Sequence, residues 1–427
     1  MNQADEITLE NRELLTPYVI SSSQWTDKSL ITYSIPPDGV FWYSGTNQIN
    51  AKLSRELGTD WQRIVAEVMD KWTRVADIDI AQVADKGGDG DYQAASQGAS
   101  QFGDIRIGGY TYGQNPLQVL AMSSSPPPDG WTRAGDVQIN LDNDWSVGAA
   151  YDFRTVLLHE LGHSLGLDHT PDSGSIMYER YAGVRQNLGA GDIAGIQLIY
   201  GPRKEDAATL SGQGVSLASA IKAPTPALGQ RTSHTEKMEL ASSGVADYFQ
   251  ISIPVGFTGT SLEIKASATG LSMLSPALVQ IDAAGNVLQT ITNPGIWGGS
   301  ASINLGMVQP GQSYYFRVQA AESGRFDIGG YRFSLNYTGG SVPSVPPPVV
   351  TPPPTVTPPT TSPPVTPPVA QAPPNNPATP APAPTPIQVV TKPQPVPRGL
   401  GNILKNLSLG RRGKPQPKRV ASSVRKA

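Results

Sequence analysis

His159-Glu-Leu-Gly-His163-Ser-Leu-Gly166-Leu-Asp-His169 is the stretch on which the reading of this chain turns. Residues four apart on a helix share a face, so the imidazoles of His159 and His163 can both reach one ion. A third ligand has to come from another direction, so the chain must turn sharply after the helix. Gly166 tolerates the positive φ that such a turn needs. His169 then completes a three-nitrogen site of the kind that holds zinc at roughly 2.0 to 2.1 Å and leaves a fourth position to water. Glu160 lies roughly 100° around the helix from His159, away from the ligand face but beside that water. It is the expected base, taking the water's proton and passing it to a departing amine, which is peptide hydrolysis without a covalent intermediate. The short H-E-x-x-H pattern also arises by chance on ordinary helices. The glycine, the third histidine and the methionine of Ser175-Ile-Met177 at their spacings are what point to a zinc site.

Working outward, Asp152 can cap the helix that carries the pair, which runs through Thr155, Val156, Leu157, Leu158 and Leu161 to Leu165 and ends at Gly166. A further helix is expected over 192–200, stopped by Gly201-Pro202. Upstream, alternation predicts strands over 30–35, 78–83, 104–107, 119–122 and 136–141. Between the first two, Thr59-Asp-Trp-Gln62 fits a capping box, and Trp61, Ile64, Val65, Val68 and Trp72 recur at helical spacing. Strands on both sides of a helix give an α+β or α/β layer, and α+β is the fold class expected here. Residues 86–103 combine glycines with carboxylates and are either a solvated loop or a calcium ligand set.

Residues 1–24 read as a polar lead-in, and 206–232, rich in Ala, Ser, Gly and Pro, as a linker. Alternating runs at 248–253, 261–266, 277–281, 287–291, 313–318 and 331–337 predict an all-β sandwich over 233–338. His234, near its first strand, reads as a surface or satisfied core histidine. The Pro/Thr/Val/Ala repeats of 339–398 cannot bury a core and predict an extended stalk. Residues 399–427 hold Lys405, Arg411, Arg412, Lys414, Lys418, Arg419, Arg425 and Lys426 and no acid, and read as a disordered basic tail.

The formal charge of the 427 residues is −3, from 32 Lys and Arg against 35 Asp and Glu; without the eight basic residues of the tail, 24 stand against 35, a balance of −11. An acidic body argues against nucleic-acid binding through the folded domains. The tail is read as a solvated segment or as a contact with an anionic cell surface. The chain has no cysteine, which excludes disulfides, thiolate metal sites and thiol nucleophiles and leaves histidine and carboxylate as strong ligands. The opening Met1-Asn-Gln-Ala-Asp-Glu-Ile is acidic without an apolar h-region, so no signal peptide is read there, and no apolar run is long enough to span a bilayer.

H-E-x-x-H-x-x-G-x-x-H followed by a methionine resembles the metzincin metalloproteases. Gly135-Asp136 to Trp145 and Asp192-Ile-Ala-Gly-Ile-Gln-Leu-Ile-Tyr-Gly201 look like the matrixin branch, over about residues 25–203. The resemblance implies a catalytic domain over 25–205, built as a twisted mixed sheet with three helices and holding one catalytic zinc on His159, His163 and His169. It also implies Met177 as a packing floor beneath the ligands and Tyr181 as a wall of the pocket for the residue after the scissile bond. Residues 119–122 would be a strand edge for an extended protein or peptide substrate. Tyr178 stands one residue before the position of the zinc-binding tyrosine in astacins and serralysins, where this chain has Glu179, so no tyrosine ligand is assigned. Gln138 and Met122 replace the histidines of the family's structural zinc, and Asn140 and Asn143 replace its usual calcium carboxylates. Without cysteine there is no cysteine switch. Ala246 to Ile253 and Gly330 to Tyr337 resemble the bacterial pre-peptidase C-terminal domain, which accompanies secreted proteases. The expectation is therefore a secreted, extracellular zinc metalloendopeptidase. The rival is a surface adhesin or binding module with an inactive metalloprotease domain.

Overall fold

The structure, a computed structural model, describes residues 18–338 apart from 22, 30, 89–96, 99, 114–118, 128–131, 225–232, 258–260 and 294–296, together with 421–425. The expected stalk, most of the basic tail and the middle of the 86–103 loop lie outside the described residues.

The first part of the chain runs β1 (Val19–Ile20), β2 (Ile31–Ser34), β3 (Phe41–Trp42), β4 (Gly45–Thr46), α1 (Ile49–Leu57), α2 (Trp61–Thr73), β5 (Ile80–Gln82), β6 (Ile105–Tyr110), β7 (Val119–Ser124), β8 (Val137–Asn140), α3 (Phe153–Ser164), β9 (Leu167–Asp168) and α4 (Ala190–Tyr200). β2 pairs parallel with β5 and β6, β6 pairs parallel with β8, and β7 pairs antiparallel with β8, which makes the sheet mixed. This is the expected α+β arrangement with four helices in place of three. α1 buries only Ile49 and Leu53, two residues at a spacing of four, too few for periodicity to mark a helix.

α2 forms where its apolar stripe predicts, burying Trp61, Ile64, Val65, Val68 and Trp72 against the sheet. The capping box at Thr59–Gln62 does not form. Asp60 is the N-cap and makes no side-chain cap bond, while the Trp61 amide donates to the Gly58 carbonyl at 3.2 Å. A helix whose apolar face is fully buried holds its first turn without a cap. The described end of the lead-in takes regular structure despite its polarity: β1 pairs antiparallel with β9, and the Ser21 amide donates to the Gly166 carbonyl at 2.7 Å.

The region after Tyr200 is β-rich. Within the stretch read as linker lie α5 (Ala207–Leu210), a short 3₁₀ turn and β10 (Ile221–Lys222). There follow β11 (Ser233–Leu240), β12 (Ala246–Ser252), β13 (Ser261–Ala268), β14 (Pro276–Ile281), β15 (Val287–Thr292), β16 (Ser300–Leu305), β17 (Ser313–Ala320) and β18 (Gly329–Thr338). They form two sheets, ordered β10-β12-β17-β14-β15 and β11-β18-β13-β16. Alternate side chains of both enclose one apolar core, in which Phe249 stacks on Phe333 at 3.8 Å. β11 and β16 escaped the sequence reading because Ser233 to Leu240 and Ser300 to Leu305 alternate with few large apolar residues.

Arginines tie this region to the first, among them Arg203 and Arg74. Arg203 donates to the Thr73 and Ile78 carbonyls at 3.0 and 2.9 Å, to Asp79 at 2.8 Å, and to Glu239 of β11 at 2.7 Å. Arg74 pairs with Asp327, and Phe326 and Met273 enter the first region's core.

The last described element, β19 (Ala421–Arg425), corrects the reading of 399–427 as wholly disordered, because it pairs antiparallel with β7. Ala-Ser-Ser-Val carries no charge, and β19 lies on the side of β7 away from β8, a backbone edge of the kind that templates another strand. Among the described residues, no helix is long and apolar enough to cross a membrane.

Candidate metal centre

α3 places His159, Glu160 and His163 in the interior of the fold, all buried. Its start is fixed by Asp152, whose carboxylate accepts the Thr155 amide at 2.7 Å. Two glycines shape the surroundings of the histidines. Gly166 has φ of 104°, the left-handed region that turns the chain out of the helix toward His169. A Cβ on Gly162 would overlap Met177 Sδ, so only glycine lets the methionine lie against the helix at this point. Met177 is buried there.

The three imidazoles converge. One ring nitrogen from each of His159, His163 and His169 lies within 4.8 Å of the others, and His159 Nε2 is 3.0 Å from His163 Nε2. His159 Nδ1 faces the Ile176 carbonyl at 2.7 Å and His163 Nδ1 faces the Leu167 carbonyl at 2.9 Å. A carbonyl only accepts, so each Nδ1 carries the proton and each Nε2 turns a lone pair inward. Two lone pairs at that separation repel unless a cation lies between them, and the donor set suits zinc. Burial, above all, holds both rings neutral: it pushes His159 down to about 3, with the Ile176 carbonyl opposing and His169 assisting. His163 is driven well below the usual histidine range by burial and by the two neighbouring rings. Among the described residues, this is the one cluster of three or more His, Asp or Glu ligand atoms within such reach.

Glu160 points to β7, where the Ser123 hydroxyl donates to Oε2 at 2.6 Å. Tyr181 is buried, and its hydroxyl accepts the Asp152 amide at 3.0 Å. It lines a small cleft of about 10 Å³ together with His159, Ile176, Tyr178 and Arg185. Arg185 reaches across to the Ser175 carbonyl at 2.9 Å.

Three contributors escaped the sequence reading. Asp192, at the start of α4, accepts the Ile176 amide at 2.9 Å and the Gly189 amide at 2.7 Å, and also the Ser175 hydroxyl. It thereby holds the turn that carries Met177. An acid in a helix's first turn three residues after a glycine is the signal that was available. Ser123 and Ser175 are both buried, and a serine ending the apolar run Val119 to Met122 was a polar residue at a core position. Gln138 faces Met122 across the β7–β8 ladder, Asn140 Nδ2 donates to the Val119 carbonyl at 2.9 Å, and Asn143 Nδ2 donates to the Asn140 carbonyl at 3.2 Å.

Comparison with known proteins places the centre in context. Residues 43–201 match the matrixin family. The chain is 36% identical over 94 residues to karilysin of Tannerella forsythia, covering 22% of this chain and 20% of that protein. It is 27% identical over 214 residues to metalloendoproteinase 1 of Glycine max, covering 44% and 65%, and 42% identical over 95 residues to matrilysin of Rattus norvegicus, covering 21% and 34%. The chain thus spans less than two thirds of the length of each of these relatives. Among solved structures, the pre-peptidase C-terminal domain of a Bacillus anthracis collagenase aligns with 27% of this chain and 93% of its own, at 14% identity and a TM-score of 0.19, too low to support a conclusion. The stretch 43–201 is a matrixin domain.

Proposed function

We propose that this protein is a zinc-dependent metalloendopeptidase in which His159, His163 and His169 hold the metal and Glu160 is the catalytic base. The observation that carries this reading is the convergence of three imidazoles, two of them (His159 and His163) held neutral by burial, beside a buried carboxylate. A bound zinc supplies Lewis acidity, polarising the scissile carbonyl and lowering the pKa of water. Glu160 accepts the proton of the attacking water and delivers it to the leaving nitrogen. Ser123 orients the Glu160 carboxylate through its hydrogen bond. Met177 supports the ligand-bearing helix, and Tyr181 walls the cleft that takes the side chain following the scissile bond.

The substrate is an extended protein or peptide segment paired on the edge of β7. The catalytic domain spans 25–205, and the β-rich region over 233–338 is a non-catalytic β-sandwich serving substrate contact or secretion. The setting is extracellular. Cleavage of a quenched fluorescent peptide library by the full chain, with and without a zinc chelator and beside Glu160→Ala, tests this. Chelator-sensitive turnover lost in the variant is expected. One equivalent of tightly held zinc with no turnover would favour a binding module with an inactive protease domain.

A further inference from the structure

We propose that residues 421–425 are an internal competitor for the substrate edge, so that the chain restrains the activity of its own metal centre; this rests on the metalloendopeptidase reading above. The pairing of β19 with β7 aligns Ala421 with Ser124, Ser422 with Ser123, Ser423 with Met122 and Val424 with Ala121, then slips so that Arg425 faces Val119. β8 occupies the other side of β7. β19 therefore uses the only edge of that strand an incoming peptide could use.

The register puts the segment at the chemistry. Ser123 is the residue whose hydroxyl holds Glu160 Oε2 at 2.6 Å, and Ser422 is its cross-strand partner. β19 also approaches α3, the helix that carries Glu160 and two of the histidines. A backbone lying there blocks any extended substrate, whatever its side chains, because the ladder groups of β7 are already used.

Covalent attachment makes such a ligand effective even when its own affinity is weak. A tethered segment acts at an effective concentration on the order of 1 mM or below, so an intrinsic Kd near a tenth of that raises apparent KM about tenfold. The competition is reversible and needs no covalent step and no cysteine.

The test uses the full chain carrying Ser422→Pro and Ser423→Pro together. Successive amides in a strand point to opposite sides, so one of the two prolines must remove a donor facing β7. The expected result is an apparent KM lowered about tenfold with kcat unchanged. A synthetic peptide of residues 419–427, added to the variant, should restore the higher KM competitively and remain intact. Hydrogen exchange supplies a readout independent of turnover. In a Glu160→Ala background, the β7 amides that do not bond to β8 should exchange at least tenfold faster once the prolines are present. Exchange and KM both unchanged by the prolines would overturn the proposal, as would cleavage of the added peptide, which would make the segment a substrate. Retention on anionic phosphatidylserine vesicles, with KM and exchange unchanged by the prolines, would assign the segment to surface contact and overturn it equally. If neither chain turns over peptide but the prolines still release the β7 amides, the metalloendopeptidase reading fails and the edge pairing stands.

Discussion

Asp192 and His159 grip the same residue from opposite sides: the Asp192 carboxylate accepts the Ile176 amide at 2.9 Å, and the Ile176 carbonyl lies 2.7 Å from His159 Nδ1. The carboxylate on α4 therefore fixes the residue whose carbonyl sets the tautomer and direction of His159 on α3. Groups behind metal ligands govern affinity by removing the freedom of the ligand to turn away.

Asp192→Ala should accordingly weaken zinc binding by about 10- to 100-fold. It also leaves the buried Ile176 amide and the part-buried Gly189 amide without their acceptor, at a cost of about 1–3 kcal/mol for the buried one. Competition with a chromogenic chelator reads the first effect and urea unfolding of the zinc-free protein reads the second. Asp192→Asn, which keeps one acceptor oxygen, should recover part of the affinity. Unchanged zinc affinity in Asp192→Ala would show that the histidines are held without it.

Ser123 and Glu160 should separate by magnitude. Loss of a general base costs roughly 10²- to 10⁴-fold in rate, and Glu160→Ala should fall in that range with zinc still bound. Ser123→Ala removes only the hydrogen bond that orients Oε2, so kcat should drop about tenfold with KM nearly constant, the signature of an interaction made in the transition state. Steady-state kinetics on one fluorogenic peptide distinguish the two, and a Ser123→Ala chain with unchanged kcat would remove Ser123 from the mechanism.

Much of this centre was legible because its logic is local. The spacing of His159, His163, Gly166 and His169 is fixed by helix geometry and one left-handed turn, and both can be read along the chain. α2 was equally legible, since Trp61, Ile64, Val65, Val68 and Trp72 repeat at the helical period. The contacts of Asp192 and Ser123 were not, because each closes a distance of many residues and neither sits in a periodic pattern: Ser175 to Asp192 spans 17 positions and Ser123 to Glu160 spans 37. β19 was illegible for a related reason. Its residues are unremarkable as a strand, and what orders them is the open edge of β7, nearly three hundred positions earlier in the chain.

The cleft beside His159 should be widened by Arg185→Ala. At about 10 Å³ it is small, and the Arg185 guanidinium crosses to the Ser175 carbonyl along its wall. Each methylene accommodated in an apolar pocket shifts selectivity by about 10- to 200-fold. The variant should therefore raise kcat/KM for substrates with leucine after the scissile bond, relative to alanine, by about tenfold. Profiling both chains on one peptide library checks this, and an unaltered preference would place the specificity elsewhere.

The β-rich region should lose stability as pH rises from about 4 to about 7. Asp247 on β12 is buried and receives the Tyr331 hydroxyl at 2.6 Å. Burial is the main cause that lifts its carboxyl to about 7; the Tyr331 hydrogen bond opposes, and Asp206, Glu205 and Glu239 add to the rise. A folded-state value above the ordinary 3.8 means that the fold binds this proton more tightly than the unfolded chain does. Its contribution is therefore complete below about pH 4, declines as pH rises, and is gone above about pH 7. Asp247→Asn keeps an acceptor for Tyr331 and never ionises. The variant should unfold at a higher urea concentration than the parent at pH 8, by the equivalent of about 2 to 4 kcal/mol, and the gap should close by about pH 4. Equal urea midpoints for the two chains at pH 8 would show that Asp247 ionises in the fold without strain.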